Sequence, residues 1–222
     1  MESMNKVLYL VGMGPGVSAA VARRFAREGY AIGAVARHAE KLERQLSELR
    51  ASGFRAVGAA ADAGDTAALR TALDRLRGEL GEASVMVYNA AGVTYQPLAD
   101  VGAERFAADL AVSVVGAFAA AQHVLPAMRS RRAGTVLLTG GGFAFEPIPV
   151  MASLGVGKAA IRNLAFSLYA DLKDTGVHAA TVTICGTVAP GTPFDPDRIA
   201  EAYWQLHVQP AGAFEREVQF RG

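Results

Sequence analysis

The feature that most constrains this chain lies near its start, where five apolar, β-prone residues, Val7-Leu8-Tyr9-Leu10-Val11, run into Gly12-Met13-Gly14-Pro15-Gly16. From Val17 the apolar residues recur at helical spacing through Ala22, Phe25 and Ala26. That order spells a strand, a glycine turn and a helix. Glycines let the backbone come close to a bound group, and the N–H groups at the helix start meet it with the positive end of the helix dipole. Gly12, Gly14, Gly16 and Val17 are therefore candidates to cradle a pyrophosphate. The G-x-G-x-x-G spacing is met only at its start, since Val17 stands where its last Gly belongs, and a tight turn without a ligand accounts for the stretch equally well.

The strand-then-helix order repeats. Strands are expected over 31–36, 55–60, 85–88, 135–138 and 179–184, with 217–220 as a final edge strand. Helices are expected over 40–50, 66–80 behind an Asp65 N-cap, 103–128, 152–172 and 197–206. This is an α/β pattern, a Rossmann-type doubly wound and mostly parallel sheet of six to seven strands with helices on both faces. With 222 residues, 51% of them hydrophobic, the chain suits one domain over 1–222, with a short helical lid on the substrate side at about 190–210. Lys and Arg are spread along the chain at a formal net charge of +1, which argues against nucleic acid and anionic membrane surfaces as partners. No apolar run approaches the roughly 18 residues of a membrane span, and Met1 to Lys6 is too short and polar for a signal peptide. Cys185 is the single cysteine, which excludes an internal disulfide and fits a cytoplasmic setting; no Cys/His cluster has metal-binding spacing.

In a doubly wound sheet, ligands bind outside the carboxyl ends of the strands. Arg37 follows the second strand, and Ala36 stands where an acidic residue would meet a free ribose hydroxyl. A cation there suits a 2′-phosphate, which favours NADP(H) over NAD(H). Asp62, past the third strand, offers either an acceptor for an adenine amino group or an Asx-turn. Asn89-Ala90-Ala91-Gly92 closes the fourth strand, with small residues that leave room for a cofactor and an Asn amide able to bridge neighbouring strands. Gly140-Gly141-Gly142 closes the fifth and offers space without a side chain, Thr139 having the only hydroxyl. Cys185-Gly186-Thr187-Val188 closes the sixth, where backbone at Gly186 and Val188 could hold a carboxamide; the Cys185 thiol reads as buried and inert.

Taken together these strand ends resemble the short-chain dehydrogenase/reductase family from about Lys6 to Val188. Gly12 and Gly16 resemble its T-G-x-x-x-G-x-G, with Val11 for Thr and Ser18 for the last Gly. Asn89-Ala90-Ala91-Gly92 resembles N-N-A-G, and Val115-Gly116-Ala117-Phe118 and Val124-Leu125-Pro126-Ala127-Met128 resemble a characteristic helix segment. The resemblance implies carbonyl–alcohol redox chemistry by a Tyr, a Lys four residues later, a Ser and an Asn. Of these the chain keeps Lys158, which the resemblance also assigns to the nicotinamide ribose. Leu154 falls at the Tyr position, Gly140 or Gly141 at the Ser position and Ser113 at the Asn position. Gly155 and Gly157 beside Lys158 suggest a close backbone contact or a subunit interface. Tyr95, Tyr203 and His207 are the candidate surrogate proton donors, against a reading in which these rings only pack. Phe143, Phe145, Pro147, Ile148 and Met151 would make an apolar wall for a small-molecule substrate. Two functions follow: an NADP(H)-dependent oxidoreductase with a non-standard proton donor, or a nucleotide-binding regulatory protein without turnover. The Ala-rich helices resemble those that pair family members into dimers and tetramers, so a homo-oligomer is expected.

Overall fold

In the computed structural model, which describes residues 6–222, seven strands form one parallel sheet in the order β3-β2-β1-β4-β5-β6-β7. They are β1 (Val7–Val11), β2 (Ala31–Ala36), β3 (Ala56–Ala60), β4 (Val85–Tyr88), β5 (Gly134–Gly141), β6 (Val177–Ile184) and β7 (Glu217–Phe220). The expected Rossmann-type architecture is present. The signal-peptide reading of Met1 to Lys6 falls, apart from Lys6, outside the described residues.

β1 lies third in the sheet, between β2 and β4, and is buried throughout. Its side chains alternate between two cores, Val7, Tyr9 and Val11 on one face and Leu8 and Leu10 on the other, as the two-residue period of a strand requires. The first core is covered by α3 (Thr66–Leu80), α5 (Gly116–Arg131) and α6 (Ala152–Asp171), and the second by α1 (Val17–Arg27), α2 (Ala39–Ala51) and α7 (Pro196–His207). α3 begins where its cap dictates, the Asp65 carboxylate accepting from the amides of Ala67 and Ala68 at 3.0 Å each.

Three expectations change. The long Ala-rich helix divides into α4 (Ala103–Leu110), a widened π-turn (Ala111–Val115) and α5. Contrary to the expectation that nothing approaches a membrane span, the run Ala103–Arg131 is long and apolar enough by length and composition, an 18-residue window within it having a mean hydropathy of 1.6. Ala117, Ala120, Ala121, Val124 and Met128 are buried in the core beneath the sheet, which makes this run a core helix. The segment expected as a lid is also a structural layer. α7 buries Ile199, Ala200, Tyr203 and Leu206 and is tied to α1 through Arg24–Glu201 (2.6 Å) and Arg23–Asp197 (2.8 Å).

Candidate functional site

The strand order reverses at β1, whose neighbours β2 and β4 leave in opposite directions along the sheet, and a crevice opens at their carboxyl ends. Gly12 makes the turn. Its amide and that of Met13 both donate to the Val35 carbonyl, at 2.9 and 3.1 Å, and its φ of +91° is left-handed. A Cβ at Gly12 would overlap the Ala90 amide nitrogen, so only glycine brings the two strand ends this close. Asn89 locks them together, donating its backbone N–H to Val11 O (2.8 Å) and its side-chain amide to Gly12 O (3.2 Å). This is the strand bridge expected of it. Higher in the turn the Ser18 hydroxyl accepts from the Gly14 amide (2.8 Å) and donates to the Gly14 carbonyl (3.2 Å). Gly16 caps α1 with no side-chain hydrogen bond and no acidic residue in the first turn, an end that favours an anion.

A cavity of about 520 Å³ occupies this crevice. It gathers Gly12, Gly14, Arg37, Asn89, Ala90 and Ala91, six of the residues singled out from sequence. Its rim also carries His38, Lys41 and Arg44, which sequence reasoning missed. The available signal was their position, since Lys41 and Arg44 are one turn apart on the first turns of α2 and so share a side with the preceding Arg37 and His38. Arg37, Lys41 and Arg44 are exposed and form no ion pair among the described residues, whereas Arg50 on the same helix pairs with Glu43 at 2.6 Å.

The other candidates stand outside this lining. Gly16 and Val17 begin α1 beside it, and Asp62 adopts the Asx-turn alternative, its carboxylate accepting from the Gly64 amide at 2.8 Å. Gly186 lies against the Phe194 ring, which a Cβ there would overlap, and Val188 follows it, 38% exposed.

Lys158 stands on α6 beneath the end of β5. Its Nζ donates to the Thr139 carbonyl at 2.7 Å, and burial lowers its pKa to about 8. A Cβ at Gly141 would come 3.3 Å from its Cγ. Leu154, one turn earlier, is 8% exposed. Ser113, within the π-turn, accepts from the Gly92 amide at 2.9 Å and faces Gly157, where a Cβ would approach the Ser113 Cβ to 3.0 Å. The glycine at 157 thus lets α6 close on the π-turn.

Tyr203 and His207 are not brought to this place. Tyr203 is fully buried on the α1–α7 side of the sheet, its hydroxyl 2.7 Å from Thr139 Oγ1, and burial raises its pKa far out of the physiological range. His207 lies at the opposite end of β5, its two ring nitrogens held by Thr135 Oγ1 (2.9 Å) and Tyr30 Oη (2.6 Å). Both residues point into the core because α7 packs as a layer, which corrects the expectation that they border a pocket. Tyr95 lies in the loop after β4 and is 75% exposed.

Residues 6–197 match the short chain dehydrogenase family. The chain belongs to this family. Its relatives include the 2,3-dihydro-2,3-dihydroxybenzoate dehydrogenase of Bacillus subtilis, 32% identical over 189 residues, which are 85% of this chain and 70% of the relative. The fold is that of a metagenomic short-chain oxidoreductase solved in complex with NADP, with a TM-score of 0.88 at 24% identity over 96% of each chain. An NAD+-bound xylitol dehydrogenase is 26% identical, with a TM-score of 0.76 over 82% of this chain and 70% of that one.

Proposed function

We propose that this short-chain dehydrogenase binds NADP(H) in preference to NAD(H) and interconverts an apolar carbonyl compound and its alcohol with a proton donor other than a tyrosine. The observation that carries the reading is the cluster of Arg37, His38, Lys41 and Arg44 on the rim of the crevice, with Ala36 before it and no carboxylate among the lining residues. Three permanent cations without ion-pair partners suit a doubly charged 2′-phosphate, which each can meet with a charge-assisted hydrogen bond. Gly12, Gly14, Asn89, Ala90 and Ala91 supply close backbone for the rest of the dinucleotide, with Gly16, Val17, Asp62, Gly186 and Val188 flanking it and Lys158 on the nicotinamide side.

When bound, the dinucleotide supplies or takes up hydride; the chain's own task is to orient the substrate and handle the proton. The hydrocarbon side chain of Leu154, one turn before Lys158, has no proton to exchange, and neither Gly141 nor Gly140 has a hydroxyl. Phe145 and Ile148, 41% and 40% exposed in the loop after β5, support an apolar small-molecule substrate. Val115, Phe118 and Val156, exposed on the π-turn, α5 and α6, support a homo-oligomer, dimer or tetramer, which sedimentation would establish and a monomeric mass would refute. The single thiol, Cys185, is consistent with the cytoplasm.

Calorimetric titration of NADPH and NADH into wild type and Arg37→Ala tests the cofactor assignment. Wild type should prefer NADPH, and the variant should lose that preference while keeping its NADH affinity. Equal binding of the two nucleotides by wild type would refute it.

A further inference from the structure

We propose that His38 is a specificity-determining residue that gains a proton when the 2′-phosphate of NADP(H) enters the crevice, so that pH sets the preference for NADP(H) over NAD(H). This rests on the NADP(H) reading above and goes beyond it by giving the phosphate site a fourth cation that can be switched on and off.

His38 holds the N-cap position of α2 without capping it. Its backbone is extended, φ −100° and ψ 105°, and its carbonyl accepts from the Leu42 amide at 2.9 Å. At α3 and α7 the same position is filled by Asp65 and Asp195, whose carboxylates accept from the first amides of their helices, the usual service of an N-cap side chain. The His38 ring makes no such bond, and it has no other hydrogen bond or ion pair among the described residues. It lines the crevice instead.

Among the lining residues, His38 is the one whose side chain changes charge near neutrality. Arg37, Lys41 and Arg44 stay cationic through that range. The walls from β1 and its turn, the loop after β3, the end of β4 and the π-turn supply Val11 to Pro15, Ala61, Ala63, Asn89 to Ala91 and Val112, none of them titratable. The nearby carboxylates lie outside the lining: Glu40 is exposed on the first turn of α2, Glu43 pairs with Arg50 at 2.6 Å, and Asp62 holds the Gly64 amide. A phosphate dianion set among these groups therefore meets no competing anion in the wall. It stabilises a charged imidazole, which donates a charge-assisted N–H bond to a phosphate oxygen. NADH has a hydroxyl in that place and exerts no such pull.

The other titrating groups are separable from this effect. His123, His178 and His207 are lowered by burial and stay neutral above the ordinary histidine value of about 6.5. Lys158, brought to about 8 by burial, belongs to the nicotinamide side, which NADPH and NADH share, so it cancels when the two are compared. The phosphate's own second ionisation, at about 6, releases a proton on binding as the dianion, the opposite sign to uptake by His38.

The test is calorimetric titration of NADPH and NADH into wild type and His38→Gln, in buffers of different ionisation enthalpy. At about pH 7.5, NADPH should bring in about half a proton or more beyond NADH. The wild-type preference for NADPH should fall about tenfold between about pH 6.5 and 8.5. In His38→Gln the extra proton should vanish and the preference should change less than about twofold over the same range. Carbon-13 NMR of the four histidine rings supplies a direct reading: the signal missing from His38→Gln should move to the protonated position when NADPH is added, and stay with NADH. The proposal is overturned by a wild type that prefers NADPH yet takes up no more protons with it than with NADH. It is equally overturned by a glutamine variant that keeps the pH dependence. Wild type that binds the two nucleotides equally would instead sink the 2′-phosphate reading, and the proposal with it.

Discussion

The Tyr88 hydroxyl, at the end of β4, donates to the backbone carbonyl of Val112 in the middle of the π-turn. The bond draws that carbonyl towards the sheet, and the helix widens over Ala111–Val115. Gly116 completes the contact, since a Cβ there would overlap both the Ala63 carbonyl and the Tyr88 hydroxyl. Ser113 is thereby turned to the Gly92 amide and to α6. Tyr88→Phe keeps the ring and removes the donor, leaving a partly buried carbonyl short of a partner. A loss of about 1–2 kcal/mol in urea unfolding is expected; an unchanged midpoint would mean that the turn widens without the hydroxyl.

The cationic rim predicts a graded response. Lys41→Ala and Arg44→Ala should each weaken NADPH binding by roughly 10-fold, about 1.4 kcal/mol, with NADH little affected. The NADPH affinity of wild type should also fall with added salt more steeply than that of the double variant, because exposed charges are screened. Matching salt slopes would place the 2′-phosphate elsewhere.

Gly12→Ala combines a left-handed backbone at φ +91° with a Cβ driven into the Ala90 amide. Relaxation would push β1 and β4 apart at their carboxyl ends. The variant should lose at least about 2 kcal/mol of stability and its nucleotide affinity together, measured by thermal unfolding with and without NADPH. Gly16→Ala, where a Cβ meets nothing within 4 Å, is the control and should fold normally.

His207 predicts an acid-sensitive fold. Burial is the main cause that holds its pKa down to about 4, with His178 and Lys6 adding repulsion. The folded chain therefore binds the proton less readily than the unfolded chain, whose histidine titrates at about 6.5. The stabilisation is fully present above about pH 6.5 and is lost as pH falls from there to about 4, at most about 3 kcal/mol. Urea unfolding at pH 7 and pH 5 should show the loss in wild type and a smaller one in His207→Gln.

Much of this was readable where the cause is local. β1 and its glycine turn follow from an unbroken apolar run and three glycines, and α3 starts at the aspartate that caps it. β5 runs longer than the expected 135–138, because Gly140 and Gly141 have no strand preference of their own; pairing with Thr183 and Ile184 of β6 makes them strand. The π-turn was unreadable for the same kind of reason, since its cause, Tyr88, is 24 residues away from Val112. α7 has the aromatic residues of a lid, and only its packing on α1 shows that they face inward. At the site, Arg37 could be found by its place after a strand, whereas Lys41 and Arg44 look like any solvated helix charge until α2 is laid beside the crevice.

The pair of hydrogen bonds between Ser18 and Gly14 has a kinetic side. Ser18 belongs to the first turn of α1, so the folding of that helix already restrains the loop that a dinucleotide would meet. The entropy of ordering this loop is spent when the chain folds, and an arriving ligand finds the backbone set. Association should then be limited by encounter and by the long-range pull of the rim cations, with no slow loop-closure phase after mixing.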